Sequence, residues 1–66
     1  MNYDPTEPVE LINIDDYIVT IEQQPDGTVK ATEKDDFENI VFEKVYFVKN
    51  FDQVIDRWYA KGYIFL

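Results

Sequence analysis

The sequence predicts a small α+β domain of order β-β-β-α-β, an antiparallel hairpin sheet with one helix packed on one face. Three observations predict it. A Pro-Asp-Gly turn separates two alternating segments, a β-branched and aromatic run follows at Ile40–Val48, and an amphipathic stripe begins beside Asn50. Sixty-six residues make one domain. A core of that size typically stabilises by only ~3–5 kcal/mol unless something staples it. There is no cysteine to supply disulfides, so the eleven aromatic residues or self-association must do so.

Residues 1–8 (MNYDPTEP) read as an extended acidic arm, because Asp4 and Glu7 each precede a proline. Residues 9–66 form the domain. Val9–Ile14 alternates weakly and could begin a strand, and Asp15-Asp16 breaks the phase as a bulge or bend would. Gln24-Pro25-Asp26-Gly27 suits a type I turn followed by a left-handed glycine. That loop sets Ile21 opposite Ala31 and Gln23 opposite Val29 on one face. The other face then pairs Glu22 with Lys30 and Thr20 with Thr32, both favourable cross-strand combinations.

Lys34–Asn39 is a charged connection. Phe37, Ile40, Val41, Val45 and Val48 also fit helical spacing, yet the composition of Ile40–Val48 favours a strand with two largely apolar faces. Asn50 and Gln53 form a capping-box pattern. Phe51, Val54, Ile55, Trp58 and Tyr59 then make one helical stripe that ends at Gly62, a natural left-handed C-cap. Tyr63–Leu66 has no polar residue and reads as a short, central final strand.

The side-chain inventory bounds the function. Without His, Ser or Cys the usual proton shuttle, nucleophiles and zinc ligands are missing, so the expectation is no enzyme, no cofactor and no metal centre. No basic segment precedes an apolar run and no stretch approaches membrane-spanning length, which makes a cytoplasmic location the expectation.

The net charge is −8. Twelve acids against Lys30 and Lys34 leave residues 1–43 at −10, and four cations against Asp52 and Asp56 leave residues 44–66 at +2. Affinity for a nucleic-acid backbone comes from cations, so direct nucleic-acid binding is not expected. A basic protein partner is.

The hairpin register gathers Asp15 and Asp16 beside Asp35, Asp36 and Glu38, with Glu33 and Glu43 as extensions. Carboxylates so gathered fit charge mimicry: an acidic inhibitor occupying a basic nucleic-acid-binding surface of a target protein. The profile is similar to that of small phage-encoded inhibitors in size, charge and lack of catalytic side chains. The alternative is a homo-oligomeric structural or regulatory subunit whose charge serves solubility. One helix covers only one face of a sheet, so Phe42, Val45 and Tyr46 are the expected apolar contacts of a homodimer or partner. The competing cover for that surface is the N-terminal arm, with Tyr3, Val9 and Leu11.

Overall fold

Three turns of one kind set the sheet. They begin at Asn13, Gln24 and Asp35, eleven residues apart. In each, the first N–H donates to the fifth carbonyl: Asn13 to Tyr17 (3.1 Å), Gln24 to Thr28 (2.7 Å) and Asp35 to Asn39 (2.9 Å). The fourth N–H, that of Asp16, Gly27 or Glu38, returns to the first carbonyl at 3.0–3.1 Å. That fourth residue is left-handed every time, with φ of 64°, 89° and 66°. A type I turn closed by a left-handed residue matches the twist of the strands it joins.

The computed structural model describes residues 7–47 and 51–66. The turns join β1 (Val9–Ile12), β2 (Ile18–Gln23), β3 (Val29–Lys34) and β4 (Ile40–Tyr46). Helix α1 (Phe51–Tyr59) and β5 (Ile64–Phe65) complete the chain. The sheet order is β4-β3-β2-β1-β5, with every neighbouring pair antiparallel. The molecule is therefore a small α+β domain with one helix, and the Gln24–Gly27 register is as its turn chemistry predicts: Ile21↔Ala31, Glu22↔Lys30 and Thr20↔Thr32. Ile40–Tyr46 is a strand, with a bulge opposite Glu33 and Lys34.

Two expectations are corrected. The sheet has five strands, because Asp15-Asp16 belongs to a complete turn and β1 is a separate strand, with Val9 and Leu11 in the core. β1 takes the place beside β2, so no central position is left and β5 becomes an edge on β1. Its register, Leu11↔Phe65 and Ile12↔Ile64, is extended by the Leu66 N–H donating to the Glu10 carbonyl at 3.0 Å. The arm before Glu7, Tyr3, Val48 and the Asn50 cap lie outside the described residues.

Helix α1 buries Phe51, Val54, Ile55 and Trp58 on Val9, Leu11, Val19, Ile21, Val29, Ala31 and Tyr46. A nine-residue helix is about 13 Å long. Five strands place β4 and β5 about 19 Å apart, so the segment that contains α1 carries the chain across the whole sheet. The helix stops through a Schellman motif: Tyr63 N–H donates to Trp58 C=O (3.1 Å) and Gly62 N–H to Tyr59 C=O (2.9 Å). Gly62 supplies the required φ of 95°. The apolar contact that accompanies such a cap is Trp58 against Tyr63, edge to face at 5.1 Å.

Candidate functional site

Turns 13–17 and 35–39 reverse the chain at the same end of the sheet, and turn 24–28 at the other. In the first, Asn13 Oδ1 accepts the N–H groups of Asp15 and Tyr17, both at 2.9 Å. In the third, Asp35 Oδ1 accepts those of Phe37 and Asn39, both at 2.9 Å. One short side chain thus organises each turn from inside. Asp15, Asp16, Asp36 and Glu38 are left exposed at the shared end, whereas Asp35 is half-buried and bonded into its own turn. The Asn39 and Phe37 N–H groups hold the Asp35 carboxyl below the usual carboxylate range. At the opposite end the Thr28 hydroxyl (2.6 Å) and N–H (3.0 Å) do the same for Asp26. Among the described residues no such group has an arrangement that could hold a metal ion.

The two suggested extensions of the acidic cluster are placed elsewhere. Glu33 is on the helix-covered side, where the Tyr63 hydroxyl donates to its carboxylate. Glu43 is on the open face, paired with Lys30 at 3.4 Å. Two apolar tips do join the acidic end: Ile14 is 96% exposed and Phe37 79% exposed.

Phe42, Val45 and Tyr46 do not form one outward patch. Phe42 and Tyr46 alternate onto the helix side, where Tyr46 is buried and Phe42 meets Trp58 edge to face at 5.9 Å. Val45 is on the open face, opposite Lys30. The open face carries a different apolar feature. The pairs Ile64↔Ile12, Ile12↔Ile18, Ile18↔Lys34 and Lys34↔Ile40 run one row across all five strands, next to the acidic turns.

No protein-family model matches this chain, and no curated protein or solved structure matches it either.

A further group, absent from the sequence expectations, lies where α1 meets β4. Lys44 Nζ is 5.0 Å from the centre of the Tyr46 ring, and the Arg57 guanidinium 5.4 Å from it. Lys61 Nζ lies 4.3 Å from the Trp58 ring and 5.5 Å from that of Phe42. These cations stack on ring faces, which the ring quadrupoles favour. The signal was present in part, since the +2 half of the chain contains Lys44, Arg57 and Lys61. The Ile12, Ile18 and Ile40 part of the row follows once three turns of equal length fix the β1–β4 registers, and the eleven-residue spacing of Asn13, Gln24 and Asp35 is the sequence sign of that. Ile64 joins it only through the β1–β5 pairing.

Proposed function

We propose that this chain is an acidic protein-binding module, an inhibitor that occupies a basic nucleic-acid-binding surface of a target protein by charge mimicry. One observation carries the reading: the turns containing Asp15, Asp16, Asp36 and Glu38 share one end of the sheet and expose those carboxylates. A basic groove that binds phosphates through Lys and Arg meets comparable charge there. The left-handed positions lend support. Gly27 fills that position in the turn at the far end, whereas the acidic end keeps Asp16 and Glu38 there. A non-glycine residue in this conformation costs about 1 kcal/mol or more, which nothing in the turn geometry requires. Ile14 and Phe37 supply apolar contact at the same end.

A second reading, a homo-oligomeric subunit, is favoured by the open row of Ile64, Ile12, Ile18 and Ile40. Salt separates the two, because screening weakens charge pairing and leaves apolar association nearly unchanged. The test is pull-down from lysate at low and high salt, followed by affinity measurements on the captured target. Asp15→Asn, Asp16→Asn, Asp36→Asn and Glu38→Gln together should slow association and flatten the salt dependence. Equal salt slopes and equal affinity for wild type and variant sink the mimicry reading.

A further inference from the structure

The two edges of the sheet differ. β5 offers two residues, a short edge of the kind that resists pairing, whereas β4 offers seven, of which Ile40–Val45 are all exposed. The turn bonds fix which backbone groups of β4 have no sheet partner among the described residues. Gln24 N–H to Thr28 C=O and Asp35 N–H to Asn39 C=O set the alternation along β3. The groups of Val29, Ala31 and Glu33 therefore face β4 and meet Tyr46, Lys44 and Phe42. Those of Glu43 and Val45 point away from the sheet, toward solvent.

The side chains flanking this edge differ by face. On the helix side stand Lys44, Arg57 and Lys61 over the Tyr46, Phe42 and Trp58 rings. On the open side stand Val45 and Ile40. We propose that the β4 edge receives an extended segment of a partner protein as an added strand, with acidic side chains facing Lys44, Arg57 and Lys61 and apolar ones beside Val45. Main-chain bonds to Glu43 and Val45 supply the pairing, and the alternating flanks supply specificity. This surface is distinct from the acidic end. Failure of one leaves the other standing.

Charge argues against a second copy of β4 as the occupant. A two-fold axis pairing two antiparallel edges runs perpendicular to the sheet, so both helices stay on one side. The Lys44, Arg57 and Lys61 groups of the two copies would then face each other along the seam, and like charges so placed repel.

The test uses two short capped peptides, one alternating valine with glutamate and one alternating valine with lysine. Amide hydrogen exchange is followed residue by residue. With free glutamate peptide at about ten times its dissociation constant, exchange at Glu43 and Val45 should slow by about tenfold. The lysine peptide should have no such effect. Arg57→Glu with Lys61→Glu should reverse that preference. Val45→Pro removes an outward N–H that β3 does not use, so it should block peptide protection while the Glu22 and Thr32 amides keep theirs. Equal protection by both peptides, or none by either, overturns the proposal. So does a dimer in light scattering that Val45→Pro dissociates, since the occupant is then a second copy.

Discussion

Trp58 is 1% exposed and joins three parts of the fold: Phe42 from β4, Tyr63 from the helix cap, and Lys61 above its ring. Trp58→Ala should cost about 3–5 kcal/mol, comparable to the whole stability of so small a domain. Urea titration followed by circular dichroism measures this, and an unchanged midpoint would place the stripe outside the core. Asp35 has a different kind of importance. Its carboxyl titrates below the usual range because the Asn39 and Phe37 N–H groups bond the charged form. A depressed folded value means that the stabilisation is present above the unfolded value and disappears as pH falls through the folded one. Asp35→Asn keeps an oxygen for both N–H groups and removes the titration. Below about pH 4 the variant's stability should therefore fall less steeply than that of wild type, as urea midpoints between pH 7 and pH 2 would show. Parallel curves would mean that the turn bonds do not distinguish charged from neutral Asp35.

Each element was legible to the extent that its determinants are local. Pro25-Asp26-Gly27 fixes a turn by dihedral preference alone, so the β2–β3 register follows to the residue. The α1 stripe and Gly62 are equally local, and both behave as their chemistry requires. The turn at Asn13 was not legible as a turn. Its organiser is an Asx bond and its left-handed residue is Asp16, a pattern that looks like a polar interruption of a single strand. The place of β5 was less legible still. An all-apolar tail suggests a central strand, but position in a sheet depends on which neighbours are already taken, and β1 had taken the one beside β2. Of the candidate site, the gathering of Asp15 and Asp16 with Asp35, Asp36 and Glu38 at one end follows from the register. The separation of Phe42 and Tyr46 from Val45 follows from strand alternation and could have been read directly from the sequence. The cation–aromatic seam needed the helix placed first.

At the scale of the molecule, a charge asymmetry along the chain becomes one in space. The chain folds into 30 × 23 × 19 Å. Screening at physiological salt acts over about 8 Å, so the acidic turns and the β4–α1 seam each present their own field. Lys44 and Arg57 meet over the Tyr46 ring, and Lys61 stands over the Phe42 and Trp58 rings, so these three cations share the helix side of the β4 edge. Among the described residues no helix is long and apolar enough to cross a membrane.

The pairing of β1 with β5 also bears on chain connectivity. Leu66 bonds to Glu10, so the end of the chain lies beside its first strand. A circular permutant that joins Leu66 to Glu7 through a short glycine–serine linker, and opens the chain between Gln24 and Pro25, should therefore reach the same fold. It exchanges the turn farthest from the acidic carboxylates for a new loop and leaves both acidic turns unbroken. Near-ultraviolet dichroism from Trp58 and amide protection in β2 and β3 should resemble those of the parent, with a lower melting temperature from the lost Gly27 turn. A permutant without either signature would mean that the backbone path through turn 24–28, and not the closure of β1 on β5, holds the sheet together.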